Sequence, residues 1–283
     1  MKILLTIAWR NIWRHPGRSG ALLAAIIIGL WAGVVTVGLM NAMLQQRMDY
    51  MIDSEITHAQ IHHPDFRDEG SAWMYIEQHA EITQWLKENP KVTSFTSRTI
   101  TDGMLQSPVK TSGVSIRGID VETEPKTTTF HENLVEGEYL DTDMNFPVLL
   151  GKSLAEEHNM EIGNRIVLTF ERTDNELTSA AFNIAGFYKS ASSQYDNMVV
   201  FVRNEDLSDL LQDEPLYHEI AMMLTDVEYA TEIAEQINAT FSDVEAKTWS
   251  QISPELGTLA ALGGLMLFIV TIVIMIALAF GIL

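Results

Sequence analysis

Residues 19–40, SGALLAAIIIGLWAGVVTVGLM, contain no charged side chain. An α-helix rises about 1.5 Å per residue, so roughly 20 apolar residues cross the hydrocarbon core of a bilayer. A helix buried in a soluble protein rarely stays apolar on every face for that length. The stretch predicts a transmembrane helix, assigned to residues 19–44. A signal peptide would carry a shorter apolar core, about 7–15 residues, and a small-residue cleavage site. Here the run leads into Asn41, Ala42, Met43, Leu44 and Gln45, a poor site of that kind. Small residues recur at Ala21, Ala25, Gly29 and Gly33. Gly29 and Gly33 have the GxxxG spacing that lets a second helix approach closely in lipid.

A second uncharged run covers residues 256–283 and predicts a second membrane helix, tilted or starting above the bilayer. Gly257, Ala260, Ala261 and Gly264 are its small residues. Ala25, Gly29, Gly33, Gly257, Ala261 and Gly264 are thus the candidates for helix packing. The sequence stops inside this run without a cytoplasmic flank, which reads as an N-terminal fragment of a longer protein.

Charge divides sharply along the chain. The net charge is −20, yet residues 1–20 hold Lys2, Arg10, Arg14 and Arg18 and no acid. The other 14 bases and all 38 acids lie between residues 47 and 255, which gives that block −24. Basic flanks of a span stay in the cytoplasm, so the N-terminus is expected inside and the acidic block outside. An acidic surface argues against nucleic acid as a partner. The absence of cysteine excludes disulfides and cysteine-based metal or redox sites.

Residues 1–18 read as an amphipathic helix at the cytoplasmic membrane surface. Leu5, Trp9, Ile12 and Trp13 share one face and Arg10 and Arg14 another, facing membrane lipids and their headgroups. Pro16-Gly17 should break or bend it. Past residue 40 the helical pattern continues to about residue 55 as a stalk, 45–56. It carries an apolar stripe of Met40, Met43, Leu44 and Met48, flexible side chains suited to a neighbouring helix or to acyl chains. These four are the candidates for cargo or lipid contact.

The block 45–255 alternates strand-like and helix-like segments. Strands are expected at 57–62, within 92–119, and at 148–150, 165–170, 182–188, 198–202 and 217–224. Helices are expected at 75–88, with Ile76, Ala80, Thr83 and Leu86 near one face, at 153–159, at 205–212, and at 227–239, with Val227, Ala230, Ala234 and Ile237 inward. The fold class is therefore a membrane protein with two transmembrane α-helices flanking an α+β extracytoplasmic domain. No internal repeat is evident.

There is no phosphate loop, dinucleotide fingerprint or nucleophile elbow, so no cofactor and no catalytic residue is assigned. His58, His62, His63 and Asp65 are the densest group of metal-ligand types, but polar strand-end histidines explain them better than a metal site. Glu122, Glu124, Glu136, Glu138, Asp141 and Asp143 read as a solvated acidic surface.

Ordered motifs then bring a resemblance. AWRNIWRHPGRSG before a long apolar span resembles the start of FtsX-like ABC transporter permeases, with Ala8, Arg10, Asn11 and Arg14 in the matching places. Residues 148–170, VLLGKSLAEEHNMEIGNRIVLTF, resemble the core of that family's MacB-like periplasmic domain through Gly151, Leu154, Ala155, Gly163, Arg165 and Ile166. Asn164 stands where the family often has Asp. FNIAGFY at 182–188 and Trp249 also fit.

The resemblance implies a non-enzymatic permease subunit in the bacterial inner membrane. It implies a cytoplasmic ABC ATPase dimer and a second permease copy or paralogue as partners, with coupling residues beyond residue 283. QIHHPDF at 60–66 looks most like the lipoprotein-releasing LolC/LolE branch, which implies a lipoprotein or other periplasmic protein as cargo. The alternatives are a MacB-like efflux permease or an FtsX-like relay that activates a cell-wall hydrolase.

Overall fold

The computed structural model describes residues 16–212, 215–258, 265, 268–273 and 276. Residues 1–15 of the expected surface helix lie outside these residues, and residues 16–18 open the first long helix; much of the expected second span is also outside. The described chain forms two compact units, Met1–Asp49 with Pro254–Leu283, and Tyr50–Ser253.

Helix α1 runs from Pro16 to Met51. Leu23, Ile27, Ile28, Trp31, Val34 and Leu39 are all exposed on it, a contiguous apolar surface. Among the described residues one helix, Ile27–Ile56, is long and apolar enough to cross a membrane. After Met51 the chain widens into a single π turn, Ile52–Ile56, closed by Thr57 N–H donating to the Ile52 carbonyl at 2.7 Å. Thr57 then takes φ 61°, rare for a β-branched residue. Its hydroxyl donates to the Ile56 carbonyl at 2.6 Å, and it is fully buried.

The elements that follow are β1 (Ala59–His62), α2 (Phe66–Glu69), α3 (His79–Glu88), β2 (Val92–Gln106), β3 (Thr111–Ile119), α4 (Glu124–Thr127), β4 (Leu134–Gly137), β5 (Pro147–Gly151) and α5 (Lys152–Glu157). Then come β6 (Arg165–Glu171), β7 (Leu177–Tyr188), α6 (Ser193–Met198), β8 (Val199–Arg203), α7 (Asn204–Leu211), β9 (Glu219–Leu224), α8 (Ala230–Thr240), β10 (Glu245–Thr248) and α9 (Trp249–Ile252).

Two subdomains emerge from the pairing. In the first, β10, β1, β9 and β2 lie side by side, each antiparallel to its neighbour. The chain order β1-α3-β2 and β9-α8-β10 makes this a split β-α-β arrangement of the ferredoxin-like type. Ile61, Ile82, Leu86, Ile220, Ile233 and Ile237 fill the space between sheet and helices.

The second subdomain is inserted between β2 and β9. β2 is long enough to leave the first sheet and pair anew with β3 and β6. Pairing then proceeds β3 to β8, β8 to β5, β5 to β7 and β7 to β6, which closes a six-stranded ring. Closure leaves the ring no open edge, and Leu105, Ile116, Val148, Leu168, Phe182 and Val200 pack its core.

Several expectations change. The helix expected at 75–88 begins only at His79, and Ile82 and Leu86 face the core while Ala80 is exposed. Ile76 is buried from the loop before it, where its N–H bonds the Tyr217 carbonyl at 2.8 Å. Residues 227–229 form a 3-10 turn capped by Asp226, so Val227 is exposed and Ile233 takes an inward place. Strands β4 and β10, absent from the sequence reading, complete the two sheet ends.

Candidate functional site

The densest polar construction in the described residues lies where β2 passes from one subdomain to the other. Arg98 pairs across the sheet with Glu219 of β9, and the next residue, Thr99, pairs with Gly118 of β3. Arg98 is therefore the last rung of the first sheet. Its side chain is 2% exposed.

Two carboxylates from two elements close on that guanidinium. Glu124 of α4 accepts from Nε at 3.0 Å and from Nη2 at 2.6 Å, a bidentate pair. Glu219 accepts from Nη1 at 2.6 Å. The other Glu219 oxygen meets Nε2 of His62, on β1, at 3.0 Å. Thr128 adds a hydroxyl donor to Glu124 at 2.9 Å. Burial alone would push the Glu219 carboxyl up, but Arg98 and His62 hold it well below the usual carboxylate range. Burial likewise works against the Arg98 charge, and the two carboxylates keep it protonated.

A neutral layer surrounds the charges. His218 is fully buried, accepts from the Ile100 N–H at Nδ1 (3.0 Å) and bonds the Ala72 carbonyl through Nε2 (2.9 Å). Burial lowers its pKa to about 4, against partial support from the Ala72 carbonyl and a further lowering by His62. Its ring stacks on Phe66 at 5.0 Å, which stacks in turn on His62. Thr99, Asn204 and Ser208 join β2 to α7 by a hydroxyl–amide network.

The π turn and the residues on either side of it are fastened to the same region. Thr129 N–H donates to the Asp53 carbonyl at 3.0 Å, Tyr50 hydroxyl to Asn133 Oδ1 at 2.9 Å, and Trp249 N–H to the His58 carbonyl at 3.1 Å. Arg98 Nη1 reaches the Glu55 carbonyl at 3.5 Å. Segments before β1, after α4 and after β10 thus share one anchorage. A buried, matched ion network is stiff: shifting one member leaves a charge without its partner in a low-dielectric interior. The arrangement can hold geometry under load.

Two sequence expectations are corrected here. Glu124 is not part of a solvated acidic face; it is 1% exposed because Arg98 compensates its charge. His62 is not a loose strand-end histidine but is 3% exposed and bound to Glu219. No cluster of potential metal ligands occurs among the described residues. Nothing local in the sequence marks Arg98, whereas Glu219, a lone charge opening the apolar strand EIAMML, carries the signal of a buried partner.

Of the stripe, Met40 is 52% and Met43 65% exposed, Leu44 is intermediate and Met48 is buried. Ala25, Gly29 and Gly33 lie on α1, and a Cβ at Gly29 would meet nothing within 4 Å. Gly257 is helical and partly exposed, whereas Ala261 and Gly264 lie outside the described residues.

The family model described as MacB-like periplasmic core domain matches residues 19–240. Among solved structures, the extracellular domain of the noncanonic ABC-type transporter YknZ from Gram-positive bacteria is 11% identical, with a TM-score of 0.46, covering 68% of this chain and 99% of that one. The periplasmic region of MacB from Actinobacillus actinomycetemcomitans is 14% identical, with a TM-score of 0.49, covering 75% and 98%. No curated protein matches the chain.

Proposed function

Because the chain belongs to the MacB-like periplasmic core domain family, a component of ABC transporter permeases, we propose that it is the subunit through which ATP hydrolysis on a separate cytoplasmic ABC ATPase dimer does work outside the membrane. One observation carries this reading. Helix α1 runs into a π turn whose Glu55 carbonyl accepts from Arg98 Nη1 at 3.5 Å and whose Asp53 carbonyl accepts from Thr129 N–H at 3.0 Å, so in this reading displacement of the turn reaches the buried Arg98 network instead of being absorbed in a loop. In this reading the N-terminus is cytoplasmic, the chain sits in a bacterial inner membrane, residues 256–283 form a second span, and a second permease copy or paralogue completes the assembly.

For the cargo we favour a lipoprotein, as in the LolC/LolE branch. The exposed, flexible Met40 and Met43 are suited to acyl chains, because thioether side chains adapt to irregular apolar surfaces. The test is photo-crosslinking from a reactive residue at Met43, in membranes containing the full chain and its ATPase. Acylated protein should be captured in a nucleotide-dependent way. Capture of other membrane proteins alone would remove the lipoprotein reading. Failure of any ABC ATPase to co-purify would remove the coupling itself.

A further inference from the structure

Along residues 92–98, β2 is the outermost strand of the ferredoxin-like sheet. β9 pairs with one side, whereas β3 occupies the other only from Thr99 onward. Beside this open edge lies a cleft of about 510 Å³. Its floor is residues 92–97, one wall is α3 with His79 and Lys87, and the other is the turn carrying Asp120, Thr123 and Lys126. Open edges ordinarily carry protection, since their backbone groups will pair with any extended chain that reaches them. Here the protection is a bulge between Val92 and Ser94, one hydroxyl contact from Thr96 to Thr123 at 2.9 Å, and α4 beside the Arg98 end of the strand, with Glu124 on Arg98 at 2.6 Å.

The charge of the cleft runs against that of the chain. With 38 acids to 18 bases, lysines readily find carboxylates, as Lys91 does with Glu232, Lys110 with Glu157, Lys152 with Glu136 and Lys247 with Glu245. Lys87, Lys126 and Lys189 are exposed and have no ion-pair partner among the described residues, and the first two line this one cleft. Asp120, the acid on its lining, is exposed and accepts from the N–H groups of Glu122 and Thr123 at 2.9 and 2.8 Å. His79 is stacked on Tyr217 at 4.0 Å and bonded to Ser97 Oγ at 2.8 Å, which makes that wall firm.

We propose that this cleft receives an extended, acid-rich segment of a partner protein as an added strand on β2, with its carboxylates meeting Lys87 and Lys126. A second copy of the chain fits poorly. Residues 92–98 contain no acid, so pairing β2 with β2 would bring lysines toward lysines.

The probe is a fluorescein-labelled octapeptide of alternating Glu and Thr, titrated by anisotropy into the full chain in detergent micelles. It should bind although the chain as a whole repels it, and more tightly at low salt. Affinity should fall about tenfold in K87E/K126E, the order expected for losing two rim charge pairs. It should also fall when alternate peptide nitrogens are methylated, which leaves every carboxylate in place but blocks strand pairing. Equal binding of a Lys–Thr octapeptide, indifference to methylation, or no binding overturns the proposal. So does light scattering that shows a dimer dissolved by K87E/K126E.

Discussion

Arg98 is the residue on which the junction depends most directly. Arg98→Met would leave Glu124 and Glu219 facing each other with side chains 2% and 4% exposed. Removing one partner of a buried ion network costs about 3–5 kcal/mol. Urea unfolding of the full chain in micelles, followed by tryptophan fluorescence, should show that loss. Adding E124Q and E219Q to the same variant should recover a large part of it, because neutral amides of similar volume no longer demand compensation. A second residue-scale effect concerns pH. His218 has an ordinary value of 6.5 and a folded value of about 4, so between these the unfolded chain binds a proton that the native chain does not. Its contribution is complete above about pH 6.5 and declines as pH falls toward 4, by up to about 3 kcal/mol. Protonation at Nδ1 would also break the bond from the Ile100 N–H. His79, lowered to about 4 by burial and then by Lys87, acts with the same sign. Urea midpoints at pH 7 and pH 5 should fall for the native sequence and fall less for H218N; equal falls would rule out this role for His218.

Among the elements, the segment β5–α5 shows what a motif can and cannot reveal. VLLG was legible as a short buried strand because its apolar run is bounded by turn residues, and the structure buries all of Pro147–Gly151. The reason for Gly151 lies elsewhere in the chain: a Cβ there would stand 2.0 Å from the Asp196 carbonyl oxygen of α6. Backbone cannot yield as a flexible side chain can, so Gly151→Ala should cost on the order of 3 kcal/mol. Gly113→Ala, with nothing within 4 Å, should stay within about 0.5 kcal/mol by the same unfolding measurement. Equal effects would show that the close approach of β5 to α6 is not what fixes glycine there. The same contrast explains the elements that sequence periodicity missed. β4 and β10 are four-residue strands, too short for a period to stand out in the sequence, and they pair with β7 and β1 beside them. The Arg98 site was illegible for a related reason. Its partners come from β1, α4 and β9, far apart in sequence, and nothing local distinguishes Glu124 from the exposed acids around it.

At the scale of the whole molecule, the long insertion within a split β-α-β frame was also hidden, since the two halves of that frame share topology without sharing sequence. What the sequence displays plainly is charge, and charge makes the strongest claim about placement. The basic residues cluster before α1 and the acidic block follows it, so the block is expected outside the cytoplasm with the N-terminus inside. The cysteine-free chain permits a direct test. Ser242, exposed in the turn before β10, can be replaced by the only cysteine in the protein. A membrane-impermeant maleimide should label S242C in intact spheroplasts as fully as in lysed ones. A single cysteine placed among residues 1–10 should react only after lysis. The reverse pattern would put the acidic block in the cytosol, where the ATPase would share its compartment. The π turn could then no longer pass cytoplasmic motion to the outside, and the Arg98 cluster would be a stabilising device and nothing more.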